Sequence, residues 1–424
     1  MKLRRGLALA AGAVAIVLLL ATIVAAMLMQ PQRLARLVLG GVGANLGLEI
    51  TFEGEARYRL RGTPMLEVRD ISVRRADGGD TGDGDGDSET ILRAGRAMIS
   101  LPWSTVLDRS GPPLALHGIE LDAPVLDLPR LQAWLASRPP GDGRLPSLSE
   151  GIRVRDGQVL AEGWELRDLD LYLPRFAAHA ALAAEARGRL LMASPTRVHF
   201  DLQLAATRPA NGAGASARGQ VRIEHEHWQL PAAVTASGPL RVGDGSWWIM
   251  PLRFGAAGSF QGEGDPLPFE FGAHGPLRLR DGTWTLVPAS IVLRGEGIIP
   301  TLEAQGRAAL GRALLLELAG TLPDWPDAWP ALPAPLGTSA SPIGVSLGYA
   351  GASDLSDPVA LRMRRDDAIA EASARVAALL DWMDALHEGS PLPPLHGRAS
   401  APRIEVPGGT LEGVEIILDA DPAE

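Results

Sequence analysis

An acidic segment of the chain contains residues that could bind calcium. Asp83, Asp85 and Asp87 stand at every second position, as the first ligands of an EF-hand loop do. Ser88 occupies the place of the glycine that such a loop needs next, and Ala94 occupies the place of its closing glutamate. The sequence therefore favours a solvated acidic insertion over residues 77–89 rather than a calcium site.

A second cluster with metal-binding side chains is His225-Glu226-His227, which follows Glu224. On a strand, the two imidazoles would point to the same face, and such a pair can contribute to a zinc site. The sequence offers no further ligand at a fixed spacing from them. We therefore interpret the cluster as a polar strand end and predict no metal site.

Residues for catalysis are also missing from the sequence. The chain contains no cysteine, which excludes disulfides, thiol nucleophiles and cysteine-ligated metals. It has neither a G-x-S-x-G elbow nor an H-E-x-x-H motif, and Lys2, its only lysine, is not part of a phosphate-binding loop. We predict a protein that is not an enzyme, with no catalytic residue, cofactor or metal.

The composition indicates a turn-rich, well-packed β protein. The 424 residues include 49 glycines and 34 prolines, yet 46% of them are hydrophobic, which is too apolar for a disordered chain. The formal net charge of −10 argues against a nucleic-acid partner, because binding phosphates requires an excess of basic residues.

The N-terminal segment is predicted to cross a membrane. Residues 7–29 carry no charge, and as a helix they would span about 35 Å, enough for a bilayer core. Basic residues lie closest on the N-terminal side, which favours a cytoplasmic N-terminus and a body exported into the periplasm from the bacterial inner membrane. Representative residues of this anchor are Leu7, Leu18, Leu19, Leu20 and Met29.

A cleaved signal peptide is the alternative interpretation of this segment. Val24-Ala25-Ala26 would provide the small residues of a cleavage site. The apolar run is longer than the roughly 7–15 residues of a usual signal peptide, which favours a retained anchor.

Beyond a short predicted helix over residues 31–47, the apolar residues recur at every second position. This period predicts half-buried strands with one apolar face. The clearest alternating segments supply the candidate lining of an apolar groove: Val198, Phe200, Leu202, Leu204, Leu267, Phe269, Phe271, Leu314, Leu316 and Leu318.

Asp-Gly pairs between apolar runs predict tight hairpins, because both residues tolerate positive φ. The pairs are Asp156-Gly157, Asp244-Gly245 and Asp281-Gly282. The last two belong to a repeat in which Gly238-Pro239-Leu240-Arg241 returns as Gly275-Pro276-Leu277-Arg278. Such repetition is typical of a sheet that grows by adding hairpins.

The C-terminal part predicts a break in the strands and then a helix. Residues 321–342 are rich in proline and contain Trp325 and Trp329, which we expect to pack locally in a linker. Apolar residues at helical spacing predict an amphipathic helix over 366–388, whose expected role is to cover or plug the sheet. A last hairpin is predicted around Gly408-Gly409.

Several segments, in this order after an anchor helix, resemble the AsmA family. Gly62-Thr63-Pro64-Met65-Leu66-Glu67-Val68-Arg69-Asp70-Ile71-Ser72-Val73 is similar to the opening strand motif of that family. The segments at 91–107, 116–128 and 154–171 continue the resemblance, which is clear over about the first 175 residues and looser afterwards.

The resemblance implies a mainly β fold: a transmembrane helix followed by a long, curved antiparallel sheet that forms a β-taco, a trough with an apolar inside. Together with the anchor, the linker and the helix predicted above, it divides the chain as follows: 1–6 basic tail, 7–29 anchor, 30–320 AsmA-like periplasmic β domain, 321–342 linker, and 343–424 C-terminal strands with the helix at 366–388.

The function implied by the resemblance is non-enzymatic carriage of phospholipid in support of outer-membrane biogenesis. The alternative is an envelope assembly or regulatory factor that binds other envelope proteins. Alternation alone also fits a closed sandwich in which the apolar faces pack against each other. The sequence therefore fits both an open trough and a closed core.

Overall fold

The structure of the chain is a computed structural model. It describes residues 32, 36, 39, 40, 43, 47–59, 62–76, 90–100, 116–137, 147–177, 179–192, 195–243, 245–262, 264–329, 331–332, 336–337, 339–353, 355–384, 394–406 and 409–419. The predicted anchor with Leu7, Leu18, Leu19, Leu20 and Met29 lies outside the described residues, and so does the acidic insertion at 77–89. The chain divides into two compact units, residues 1–160 with 168–177, and residues 161–167 with 178–424.

The first unit is built around one long strand, β3, that pairs on both sides. Two short strands pair antiparallel with one edge of it and β4 pairs with the other. Leu66 and Val68 of β3 are fully buried, and the core of the unit forms around them. The strands are β1 (Leu48–Phe52), β2 (Ala56–Arg59), β3 (Met65–Arg75), β4 (Thr90–Ser100), β5 (Gly118–Asp127) and β6 (Gly151–Ala161).

A helix connects the two strands of this unit that run parallel. β5 pairs parallel with β6, and a parallel pair needs a crossover connection. Helix α1 (Leu128–Ala136) lies in that connection. Asp127 caps it by accepting a hydrogen bond from the backbone N–H of Arg130 at 2.9 Å, which satisfies one of the free donors of the first turn.

The predicted hairpin turn at Asp156-Gly157 is wrong. Both residues lie inside β6, where Asp156 adopts a φ of 52°. The chain reverses instead at Glu162-Gly163, before β7 (Trp164–Leu173). An aspartate at positive φ serves an irregular strand position as well as a turn, so the dipeptide alone does not identify the turn.

The second unit contains strands that follow one another in antiparallel pairs. The predicted mainly β fold is confirmed. The strands are β8 (Leu182–Met192), β9 (Arg197–Ala206), β10 (Ala213–His225), β11 (Trp228–Gly243), β12 (Ser246–Phe260), β13 (Leu267–Arg280), β14 (Thr283–Gly295), β15 (Leu302–Leu310), β16 (Leu314–Leu322), β17 (Ile343–Gly351), β18 (Val359–Arg365), β19 (Ala368–Ala374), β20 (His396–Val406) and β21 (Gly409–Asp419).

The repeated Gly-Pro segments form two consecutive hairpins, β11–β12 and β13–β14. Asp281 and Gly282 adopt φ values of 48° and 73°, as a type I′ turn requires. The pairing register shifts at four successive strand pairs from β11 to β15, each time beside a proline. Proline has no N–H to donate to the ladder, so the strands bulge there.

The bulges and several glycines curl the sheet of the second unit. Leu252, Leu286 and Ala289 are buried, and the partly buried side chains described around them come from β11 to β15 of the same sheet. Side chains of one sheet face bury each other in this way when that face is concave. The side of the sheet that carries these three residues is therefore its concave side here, as expected where bulges and glycine kinks bend a sheet.

The C-terminal helix is shorter than predicted. Residues 368–374 form strand β19, and helix α2 covers only Val376–Asp384. The predicted start at Asp366 is wrong, because Asp366 and Asp367 make the turn between β18 and β19. Residues 385–388 of the predicted helix lie outside the described residues. The predicted start of the linker at residue 321 is wrong, because Thr321 and Leu322 belong to β16. Between Pro323 and Pro342, the described residues contain neither helix nor strand, and the final hairpin pairs β20 with β21.

Replacing Gly306 by alanine is expected to destabilise the second unit by about 1–3 kcal/mol, the usual cost of overpacking. An added Cβ would lie 1.9 Å from the carbonyl oxygen of Glu317 on the next strand, so the backbone would have to move. Chemical denaturation of the full chain measures the change.

Gly264→Ala is the matched control, because a Cβ at Gly264 meets no atom within 4 Å. Equal denaturation midpoints for the two variants would contradict the close approach of Gly306 to the backbone of β16.

Candidate functional site

The second unit has one continuous apolar face. Directly paired residues of neighbouring strands share a face of a sheet, so the pairing register defines rows that cross the strands. One row crosses all of β8 to β21 and contains only apolar residues. Its members are Ala184, Leu204, Ala217, Ala236, Phe254, Ala273, Ile291, Ala304, Gly320, Val345, Met363, Ala370, Ala399 and Ile416.

All ten residues of the predicted groove lining lie on this apolar face. Val198, Phe200, Leu202 and Leu204 are on β9, Leu267, Phe269 and Phe271 on β13, and Leu314, Leu316 and Leu318 on β16. One member of each set pairs directly with a small residue of the neighbouring strand on the same face: Leu202 pairs with Gly219 of β10, Phe271 with Ala256 of β12, and Leu318 with Gly306 of β15.

The burial of these ten residues distinguishes an open face from a closed core. Each of them is half-buried, whereas their sequence neighbours Asp201, Gln203, Glu270 and Glu317 are exposed. A sandwich core would bury such leucines and phenylalanines completely. The apolar face of the second unit is thus sheltered from water but still reachable by a ligand.

Two further small clusters of buried residues include side chains of the proline-rich segment between β16 and β17. Leu322, Ile343 and Val345 pack with Trp325, and Leu336 packs with Ala368 and Ala401. Trp325 and Trp329 meet edge to face with ring centroids 4.7 Å apart, and Trp329 donates a hydrogen bond to the carbonyl of Ile298 at 2.9 Å. This confirms that the two tryptophans pack locally.

Ion pairs bridge neighbouring strands on the opposite, polar face. Arg307 on β15 forms a bidentate pair with Glu317 on β16, and one of its two hydrogen bonds is 2.6 Å long. Glu371 on β19 accepts hydrogen bonds from Arg398 on β20 at 2.8 and 3.1 Å and lies 3.6 Å from Arg362 on β18. These contacts connect strands at the solvent-exposed surface.

The arginines also shift the acidity of their partners. The hydrogen bond from Arg307 lowers the pKa of Glu317 below its ordinary value, and the hydrogen bond from Arg398 does the same to the pKa of Glu371. The carboxylates are therefore ionised throughout the neutral range and act as structural partners of arginine.

A groove of about 630 Å³ crosses β15 to β19. Its lining residues come from both faces of the sheet: Leu318, Leu347 and Leu361 belong to the apolar face, whereas Glu317, Arg362 and Glu371 belong to the polar face. Two of its charged residues, Arg362 and Glu371, form the ion pair described above. Because these two charges neutralise each other within the protein, a ligand in the groove does not have to carry a charge to compensate them.

The histidine cluster does not assemble as a metal site. His225 is the last residue of β10, while Glu226 and His227 belong to the following turn, so the expected single strand face is wrong. His225 stacks on Trp228 with ring centroids 5.3 Å apart. No group of three or more potential metal ligands occurs within the described ranges. Asp83, Asp85 and Asp87 lie outside them.

Sequence reasoning missed the middle of the apolar face. Leu347, Leu361 and Met363 on β17 and β18 belong to it, as do Val234 and Leu293 on β11 and β14. In β17, Val345, Leu347 and Tyr349 alternate with small or polar residues, and in β18, Leu361 and Met363 alternate with arginines. The two-residue period that identified β9, β13 and β16 is therefore also present in β17 and β18 and could have found their residues.

Comparison of the chain with protein-family models, curated proteins and solved structures finds no match. In the part of the chain that the structure describes, no helix combines the length and the hydropathy that spanning a bilayer requires. The geometry of the apolar face is consequently the basis of the functional argument.

Replacing Arg398 by glutamine is expected to raise the pKa of Glu371 towards its ordinary value, because the strongest hydrogen-bond donor to the carboxylate disappears. The carboxylate carbon of Glu371, followed by NMR during an acid titration, measures the shift. In the native protein the contact between Arg398 and Glu371 stabilises the fold at pH values above the ordinary pKa of glutamate. This contribution to stability is lost as the pH falls through the lowered pKa of Glu371.

Arg362→Gln should raise the pKa of Glu371 less, because Arg362 acts only through its more distant charge. A larger shift in Arg362→Gln than in Arg398→Gln would contradict this assignment of the partners.

Proposed function

We propose that the chain is a non-enzymatic phospholipid carrier of the AsmA type, whose apolar face in β8 to β21 receives acyl chains. The observation that carries the proposal is the half-burial of this face: it is apolar in every strand but is not filled by protein. In this proposal residues 7–29 anchor the chain in the bacterial inner membrane, the body works in the periplasm, and the transported lipid supports outer-membrane biogenesis.

The energetics favour acyl chains as the occupant. Each methylene removed from water contributes about 0.8 kcal/mol, so a single acyl chain offers many small gains along a continuous surface. Fourteen strands with small apolar residues between large ones provide such a continuous surface. Affinity is then distributed over many residues, and a carrier can move its cargo along the row because neighbouring positions are chemically alike.

An envelope factor that binds other proteins is the second candidate function, and the last strand supports it. Within the described residues the pairing register of β21 is with β20, so its other edge presents backbone donors and acceptors. Ile417 on this strand is 72% exposed and Leu411 is 50% exposed. A strand from a partner protein could pair with this edge.

A photoreactive phenylalanine analogue at Leu318 is expected to crosslink to phospholipid in membranes that contain the full chain. Leu318 belongs to the apolar face, while the next residue, Ala319, is exposed on the opposite face. Mass spectrometry of the gel-purified adduct identifies the crosslinked molecule.

The same analogue at Ala319 is the matched control and should give no lipid adduct. Equal lipid yields at 318 and 319 would contradict the carrier proposal. A protein adduct at Ile417 without a lipid adduct at Leu318 would favour the protein-binding alternative.

A further inference from the structure

Exposed apolar side chains gather along one edge of the second unit, where "edge" here means the row of turns at one end of the strands and not an edge strand. Val242, Trp247 and Trp284 are 46%, 49% and 40% exposed, and Met250 and Val287 are 45% and 51% exposed. We call these five residues the tryptophan rim. Val242, Trp247 and Trp284 lie at the ends of β11, β12 and β14 beside the hairpin turns, and Met250 and Val287 lie at the bulges next to them.

The tryptophan rim is held in a fixed position. Asn211, in the turn between β9 and β10, donates a hydrogen bond to the carbonyl of Val242 at 3.0 Å and accepts one from its N–H at 2.9 Å. The guanidinium group of Arg278 lies 5.6 Å from the ring centroid of Trp248. The exposure of the apolar side chains is therefore a property of ordered hairpins.

Positive charge accompanies the tryptophan rim, although the whole chain has a net charge of −10. The turns that join β9–β10, β11–β12, β13–β14 and β15–β16, with their flanking residues 206–213, 241–248, 278–285 and 310–314, contain five arginines and two aspartates. Four of these arginines are exposed: Arg208, Arg241, Arg280 and Arg312.

The opposite edge of the same strands has the reverse character. The connections between β10–β11, β12–β13, β14–β15 and β16–β17, with flanking residues 224–228, 260–267, 294–302 and 322–343, contain one arginine and seven carboxylates. None of the exposed large hydrophobic residues described in the structure lies in these connections. Over the strands from β9 to β17, the two edges thus differ both in charge and in exposed apolar surface.

We propose that the tryptophan rim docks onto the surface of a bilayer that contains anionic phospholipid. Tryptophan is the side chain most suited to the boundary between acyl chains and headgroups, and arginines next to it attract anionic headgroups. This docking brings the edge of the apolar face to the lipid surface. It is independent of which molecule the apolar face carries.

A second copy of the chain fits the tryptophan rim less well. Two such rims carry the same charge and repel each other, while the acidic edge of another copy offers no exposed large apolar side chain among its described residues. The surface of an anionic bilayer attracts the arginines through its headgroups and accommodates the apolar side chains of the tryptophan rim among its acyl chains.

A reporter cysteine tests the docking in the full chain, which has no other cysteine. Ala313→Cys places an environment-sensitive fluorophore beside the tryptophan rim, and His227→Cys places it on the acidic edge, where the native side chain is 83% exposed. The full chain is reconstituted in phosphatidylcholine nanodiscs and titrated with vesicles of phosphatidylcholine, with or without phosphatidylglycerol.

We expect a blue shift at position 313 with phosphatidylglycerol vesicles, a much smaller shift with pure phosphatidylcholine, and no shift at position 227. Arg241→Gln and Arg280→Gln should each weaken vesicle binding about fivefold, because an arginine near an anionic surface contributes about that factor. Arg294→Gln, on the acidic edge, is the matched control and should leave the binding unchanged.

Three results would overturn the docking: no shift at position 313, equal shifts at both positions, or a shift that depends on protein concentration without vesicles. The last result would assign the tryptophan rim to contact between copies. Lipid crosslinking at Leu318 in the same preparation reports on the carrier proposal separately, so failure of one leaves the other measurable.

Discussion

Continuous antiparallel pairing of neighbouring strands from β8 to β21 is the constraint on which the second unit depends. Because side chains alternate along each strand, a slip by one residue in any pair would move apolar side chains to the polar face. The row from Ala184 to Ile416 stays apolar through fourteen strands. Even the register shifts beside the prolines of β11 to β14 leave the apolar residues on the same face.

Curvature makes this face different from the core of a sandwich. The bulges bend the sheet until Leu252, Leu286 and Ala289 bury one another, whereas residues such as Phe271 and Leu318 stay half-buried. Glycines permit the bend, since a Cβ at Gly219, Gly258 or Gly306 would collide with the backbone of the next strand. The curvature partly shields the apolar face from water, but protein side chains do not cover it completely. A surface that binds lipid needs both properties.

The sequence predicted those parts of the fold that depend on local chemistry. Alternation identified β9, β13 and β16, and Asp281-Gly282 identified a hairpin by its positive φ values. Asp156-Gly157 misled because the same backbone conformation occurs inside a strand. Ile369 and Ser373 suited a helix by spacing, but pairing of β19 with β18 and β20 placed them in a strand. Pairing with strands distant in sequence determines whether such a segment becomes a helix or a strand, and this pairing cannot be read from the residues of the segment itself.

A structure of the full chain bound to a phospholipid with brominated acyl chains would show directly whether the apolar face holds lipid. We expect bromine density along the apolar face, over residues such as Leu318, Leu347 and Leu361, with the polar-face residues Glu317 and Arg362 free of it. If protein side chains close this face, or if bromine is found only elsewhere, the apolar face is not the binding site for acyl chains.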